Sequence, residues 1–355
     1  MSPAEPRTER ATIYDVARLA GVSHQTVSRL LHGFPGIRPA TRERVERALK
    51  ELEYRPNLAA RSLATSRSRR IGALVYELLE VGPRKTIQGA SDAARKAGYL
   101  LDIVTLDPTD DAAVDEALAI MGSQDLAGVV AFAPMDLLGD RIRGADFAVP
   151  LLFETAIDES AAVEHADVER APVERARVSD AGMDAVVDHL VGIGHRHFFH
   201  VSGPVDSTAS RHREGGYATA LARHGLVSRG SLPSDWSSAS GYRVGLELPL
   251  ELGFTAIVAA NDQVALGLLR ALSERGIAVP GAMSVTGFDD IPESEYFLPP
   301  LSTVRVDYEQ KGRILMNRFL AMIGDEGAAA VIAEPRHLPE LVVRASTAAP
   351  PSGRP

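Results

Sequence analysis

The chain has 355 residues, is 45% hydrophobic, carries a net charge of −9 and contains no cysteine. That length exceeds one ordinary core and suits a small domain joined to a larger one. Disulfides and thiolate metal sites are excluded, and no run approaches the ~20 apolar residues of a membrane span.

The polar start MSPAEPRTERAT lacks the apolar stretch of an export signal, so a cytoplasmic protein with no membrane partner is expected. The negative total conceals an asymmetry. Residues 1–70 hold fourteen Lys/Arg and seven Asp/Glu, whereas the remainder holds 24 and 40. A basic head on an acidic body fits either a polyanion partner for the head or a solvated charged arm.

Residues 1–11 read as a disordered arm. Three short helices follow within 12–54. Thr12 is placed as the N-cap of the first, with Asp15 three residues on, and Ile13, Val16, Ala17 and Ala20 share one face. Gly21 ends it, and Ser23 caps the second helix. There Val27, Leu30 and Leu31 point inward while His24, Gln25, Ser28 and Arg29 share the opposite face. Thr41 is expected to open the third helix, with Val45, Ala48, Leu49 and Leu52 inward and Pro56 as its stop. Residues 57–65 read as a weakly helical piece and SRSRR at 66–70 as a linker.

From Ile71 onward short β-branched runs alternate with amphipathic helices. IGALVY precedes a helix at 86–97, LLDIVTL one at 111–121, AGVVAF one at 136–142, and VPLLFE follows. After about residue 172 the series restarts: ARVS, helix 180–191, HFFHVSG, helix 208–223, a short piece near 232, helix 239–252, TAIVAA, helix 262–275 and MSVTGFD. Such alternation implies parallel sheets covered by helices, here in two lobes. LSTVRV, a helix at 308–322 and LPELVV complete both lobes by crossing between them. The N-lobe is drawn at about 71–172 and 305–335, the C-lobe at about 173–304 and 336–346. The tail from 347 is aperiodic and expected to be disordered.

A helix-turn-helix sets its second helix in the major groove. Gln25 suits a bidentate contact to adenine, Arg29 one to guanine, and His24 donates or accepts at a base edge. Thr12, Ser23, Thr26, Ser28 and Thr41 offer hydroxyls for phosphate contacts. The bland alternative is a three-helix bundle with polar faces.

TIYDVARLAGVSHQTVSRLLHG and TRERVERALKELEYRPNLAARSLAT closely resemble the start of the lactose-repressor (LacI) family, and the likeness runs in order to LPELVVRAST. The resemblance implies a homodimer on a pseudo-palindromic double-stranded operator, read from His24, Gln25 and Arg29. It adds Tyr14, Tyr54, Asn57 and Ala60 to the DNA-contacting set and places Leu63, in the hinge segment Asn57–Leu63, as a minor-groove wedge. It also implies the fold: an α/β chain with an all-α headpiece at 12–56, a hinge and linker at 57–70, and a two-lobed, doubly wound, periplasmic-binding-protein-like sensor at 71–346.

In such a core the ligand sits between the lobes near the C-terminal strand ends. By resemblance Arg213 contacts effector and Trp236, the only tryptophan, stacks on it. Asn261 and Asp289 each offer two polar atoms for neighbouring sugar hydroxyls, or else cap turns. Trp236 is otherwise core. Tyr76, Pro83 and Tyr308 line up with pocket positions of the other lobe. Glu154-Thr155 stands where some sugar-binding relatives place an aspartate. His195, His197 and His200 do not read as a metal site, because residues three apart in a strand face opposite sides. No catalytic constellation, phosphate loop or cofactor motif appears in the sequence. The expected function is a non-enzymatic, sugar-responsive repressor. A nucleobase- or phosphoprotein-responsive relative and a sugar-transport protein are the alternatives.

Overall fold

The computed structural model describes residues 11–31, 34, 36–54, 68–76, 80–107, 110–132, 136–154, 178–325 and 338–351. It falls into two compact units, Met1–Arg69 and Arg70–Pro355. The hinge segment, with Asn57, Ala60 and Leu63, lies outside the described residues.

The first unit carries α1 (Ile13–Ala20), α2 (His24–Leu31) and α3 (Pro39–Glu51). Their shared core is Val16, Ala17, Ala20, Val27, Leu30, Val45 and Ala48, with Leu31, Leu49, Leu52 and Tyr54 packed around it. The α1 cap is reciprocal: the Asp15 amide donates to Thr12 Oγ1 at 3.3 Å and the Thr12 amide to Asp15 Oδ2 at 2.9 Å. Gly21, at φ 63°, closes the helix in the left-handed region where a side chain is costly. The third helix starts at Pro39, not at Thr41. Proline at the first helical position has its φ preset and no N–H to lose, so Thr41 falls inside the first turn.

The second unit contains two four-stranded parallel sheets. The N-lobe sheet runs in the order β2 (Leu100–Leu106), β1 (Arg70–Tyr76), β3 (Gly128–Phe132), β4 (Leu151–Phe153). The C-lobe sheet runs β6 (Ser231–Pro233), β5 (Phe198–Ser202), β7 (Ala256–Ala259), β8 (Ser284–Thr286). The strand order reverses between β1 and β3, and again between β5 and β7, so each lobe has a crevice at its C-terminal edge. The covering helices are α4 (Val81–Lys96), α5 (Asp111–Gly122) and α6 (Asp136–Gly144) on the first sheet. On the second they are α7 (Val178–Gly192), α8 (Thr208–Arg223), α9 (Ser238–Glu247) and α10 (Asp262–Glu274).

Among the described residues, two segments cross between the lobes. β9 (Thr303–Arg305) and β10 (Glu340–Val342) form an antiparallel pair, and single bridges Thr286↔Ser302 and Asp289↔Arg305 join that pair to the C-lobe. α11 (Tyr308–Met322) returns to the N-lobe, where Leu315, Met316, Phe319 and Leu320 pack with Ile71, Ala73 and Val130. α4 and α11 touch through paired glycines. A methyl on Gly89 would run into the Glu309 carbonyl, and one on Gly312 into the Thr86 carbonyl.

Several boundaries differ from expectation. α4 begins at Val81, not 86, because Pro83 sits in its first turn, where its missing N–H has no intrahelical partner to lose. Val178 and Ser179 of the expected strand ARVS are already helical. The helix expected at 239–252 stops at Glu247, before Pro249, and a short 3₁₀ turn covers Leu250–Leu252. The tail after Ser346 is held in place as far as it is described. The Ala348 amide donates to Ser284 Oγ at 3.1 Å, its carbonyl lies 2.9 Å from His195 Nε2, and Thr347 Oγ1 lies 3.0 Å from His189 Nε2.

Candidate functional site

On the headpiece α2 buries Val27 and Leu30 and leaves His24, Gln25 and Arg29 exposed, with Ser28 half-buried. The exposed Tyr14 ring lies 5.1 Å from that of His24, and the Arg29 guanidinium lies 5.6 Å above Phe34. Ser23 Oγ accepts from the Thr26 amide at 3.2 Å and pairs with Thr26 Oγ1 at 3.0 Å. One face thus carries two bidentate-capable side chains beside hydroxyls at a helix N-terminus, the arrangement that reads base edges and grips phosphate. Tyr54 is half-buried against the headpiece core.

In the second unit the polar groups converge at the C-lobe crevice. Arg213, on α8, is buried and reaches the end of β7. Its Nη1 donates to the Ala260 carbonyl, and its Nη2 donates to Asp289 Oδ1 at 2.9 Å and lies 3.1 Å from the Tyr308 hydroxyl. Tyr308 donates to the same Asp289 oxygen. The guanidinium is flanked by the rings of Phe288, at 4.1 Å, and Trp236, at 5.2 Å. Burial works against the Arg213 charge, but Asp289 and its hydrogen bond hold the pKa above the ordinary value. Burial pushes the Asp289 carboxyl upward, opposed by Arg213 and by the Tyr308 hydrogen bond. Burial also keeps the Tyr308 phenol protonated, as a donor must be.

Asn261 is the N-cap of α10. Its Oδ1 accepts from the Val264 amide at 2.8 Å while its Nδ2 donates to the Trp236 carbonyl at 3.0 Å. The expectation for Asn261 left two roles open, and capping is the one these contacts display. Trp236 is buried, with its ring filling the space where a side chain on Gly203 would stand. Four non-glycine residues among those described have positive φ, and three are here: Trp236 at 69°, Asp289 at 108° and Asp290 at 48°. Backbone held in that region concentrates where a fold positions functional groups.

Tyr76 and Pro83 stand on the N-lobe, at the end of β1 and in the first turn of α4. Tyr76 packs with the N-lobe core around Leu74, Val104 and Leu106. Pro83 lies in the first turn of α4, and its neighbour Gly82 is the residue that meets the Tyr308 ring, where an added Cβ would stand 3.2 Å away. Phe288 and Gly82 had no sequence signal beyond their type. Two further groups lie near the cluster. Glu154, just past β4, pairs with Lys311 on α11 at 3.0 Å. Asp262 is buried and accepts from the Ile291 amide and from Ser294 and Thr303, with its carboxyl pushed up to about 7 by burial and by the Asp289 charge. The histidines are dispersed. His195 bridges Thr255, Ser284 and Ala348, His200 reaches the Val258 carbonyl at 2.8 Å, and His197 is half-buried ahead of β5.

A helix-turn-helix unit followed by a two-lobed core with a polar crevice defines a class: transcription regulators that carry their own ligand sensor. Residues 12–57 match the model of the bacterial regulatory proteins, lacI family, and residues 187–347 that of the periplasmic binding protein-like domain. The lactose operon repressor of Escherichia coli (strain K12) is 32% identical over 317 residues, covering 88% of this chain and 84% of the repressor. The regulator AscG of the same strain is 32% identical over 324 residues, covering 88% and 92%. Among solved structures, the lac repressor dimer bound to operator and the anti-inducer ONPF superposes with a TM-score of 0.78 at 30% identity. That match covers 96% of this chain and all of the other. The CelR–cellobiose complex gives 0.63 at 27%, covering 95% and 100%. The chain belongs to the LacI family and is a DNA-binding transcription regulator. Among its described residues no helix is long and apolar enough to cross a membrane.

Proposed function

We propose that the chain is a homodimeric repressor of carbohydrate-utilisation genes. It binds a pseudo-palindromic operator through His24, Gln25 and Arg29, and a mono- or disaccharide held between the lobes modulates that binding. It acts by binding and not by turnover, on the nucleoid in the cytoplasm. The observation that carries the sugar reading is Arg213, fixed by Asp289 and Tyr308 and set between two aromatic rings. Directed polar atoms beside a flat apolar wall match a sugar ring, which has hydroxyls at its edge and C–H bonds on its face. An adjoining cavity of about 710 Å³, lined in part by Asp289 and Tyr308, falls within the range of small-molecule sites. The likeness to a repressor bound to ONPF and to a regulator bound to cellobiose supports the same ligand class.

The ligand is an inducer in this scheme. It favours closure of the lobes, which separates the two hinge segments of the dimer, and a coupling of ~1–3 kcal/mol lowers operator affinity roughly 5–150-fold. A thermal-shift screen against mono- and disaccharides, followed by operator titration with each hit, tests both parts. A hit should stabilise by about 2.7 kcal/mol at 100 times its dissociation constant. Stabilisation by nucleobases alone would replace the sugar reading, and tighter operator binding with sugar would make it a corepressor.

A further inference from the structure

We infer that the Glu154–Lys311 ion pair is a second polar wall of the effector site, and that it makes the site select uncharged sugars over phosphorylated or acidic ones. The inference rests on the sugar reading above. Its starting point is place. Glu154 follows the C-terminal end of β4, the edge of a parallel sheet where ligands are bound. Lys311 lies three residues beyond Tyr308 on α11, hence on the same helix face. The Tyr308 hydroxyl is bonded to Asp289, so the turn that carries Lys311 abuts the Arg213 cluster directly.

The pair is also largely withdrawn from water, with its side chains 21% and 14% exposed, yet neither partner is sealed. Partial exposure leaves the carboxylate able to accept from a hydroxyl and the ammonium able to donate to one.

Charge balance then decides the ligand class. Arg213 is already compensated by Asp289, and Lys311 by Glu154. The adjoining cavity is lined by five carboxylates against two cations, Lys85 and Arg305. Arg305 is paired with Asp290, and Lys85 lies close enough to favour the charged form of Asp289 without forming an ion pair. A phosphate or carboxylate brought here would lose water and face walls on which carboxylates outnumber cations, which is costly in a low-dielectric site. A neutral polyol loses nothing of that kind, since each ion pair offers it both a donor and an acceptor.

The test uses the full chain and matched ligands. Glucose, galactose, cellobiose and lactose are titrated alongside glucose 6-phosphate, galactose 6-phosphate and galacturonate, reading Trp236 fluorescence and release of a labelled operator. A neutral sugar should bind roughly tenfold or more tightly than its charged counterpart. Glu154→Gln leaves the lysine charge uncompensated and should shrink or invert that ratio, whereas the double change Glu154→Gln with Lys311→Gln restores balance and should keep the neutral preference. Operator binding without ligand reports that each variant is folded, and the wild-type panel decides the ligand class even where a variant is not. Tighter binding of a phosphorylated or acidic sugar by the wild type overturns the inference, as does an unchanged ratio in a folded Glu154→Gln. Binding of nucleobases with no sugar of either set would instead remove the sugar reading itself.

Discussion

The Asn261 side chain donates to the main-chain carbonyl of Trp236 at 3.0 Å, so the residue that caps α10 also pins the backbone of the ring beside Arg213. Asn261→Ala removes both bonds at once. Losing the cap costs about 1 kcal/mol and stranding a buried carbonyl about 1–3 kcal/mol more. The expected outcome is a lower melting temperature together with a shifted Trp236 emission. An unshifted emission spectrum would show that the ring is held by other contacts.

Removing the carboxylate that faces Arg213 is more severe. Arg213 and Asp289 are both buried and hydrogen-bonded to each other. Asp289→Ala leaves a buried guanidinium without its partner, at a cost of about 3–5 kcal/mol. Tyr308→Phe keeps the ring against Gly82 and removes only the hydroxyl, so about 1–2 kcal/mol is expected. Urea denaturation should rank the two variants in that order. Equal losses would mean that the ion pair contributes no more than the phenol.

His200 makes the core acid-sensitive. It is buried in β5 with its ring 4.8 Å from that of Tyr217, and burial lowers its pKa from 6.5 to about 4. A depressed histidine contributes stability that is present above the unfolded pKa of 6.5 and lost as pH falls toward 4, because the unfolded chain takes up the proton first. The loss over that window is about 3 kcal/mol. His200→Phe retains the aromatic contact and should flatten this part of the stability–pH curve relative to the wild type. Asp262 pulls the other way: its carboxyl is raised to about 7, so its contribution is present at low pH and lost as pH rises from about 4 to about 7. Parallel curves for wild type and His200→Phe between pH 4 and 6.5 would show that His200 is protonated in the fold.

On the headpiece, Arg29 is exposed on the α2 face, with its guanidinium over the Phe34 ring. Arg29→Ala should cost about 1–3 kcal/mol on the cognate operator and relax preference at one base position of each half-site. Thr12→Ala should instead weaken all sequences alike and loosen α1, whose cap it supplies. Selection from a randomised operator library distinguishes the two patterns. A motif unchanged by Arg29→Ala would move the recognition surface elsewhere.

Much of this architecture was legible in the residues. The periodicity of Val16, Ala17 and Ala20 fixed the inward face of α1, and the alternation of short apolar runs with amphipathic stretches marked two parallel sheets. What escaped was local chemistry decided by neighbours. Pro39 opens α3 because proline suits a first turn, although Thr41 looked like the natural cap. The tail after Ser346 has no periodicity, yet Ala348 is held by Ser284 and His195, contacts set by residues 64 and 153 positions away. At the crevice, the family resemblance pointed to Arg213, Trp236 and Tyr308 and the paired oxygens to Asp289, and these four do meet. Neither could show that Asn261 spends both polar atoms on the backbone, that Tyr76 turns into the N-lobe core, or that Glu154 finds Lys311. Each of those depends on which surfaces the crossing segments bring together.

The paired glycines of α4 and α11 have a mechanical consequence. Because Gly89 meets the Glu309 carbonyl and Gly312 that of Thr86, the two helices have no room to slide or rotate past each other. The start of α11 therefore moves with α4, and a rocking of the lobes would load the Tyr308–Asp289 hydrogen bond and the short link between β9 and α11. Lengthening or stiffening Val306–Asp307, a stretch far from the operator-reading face in sequence, would reset the travel of that helix and, because both residues line the adjoining cavity, reshape the ligand wall at the same time.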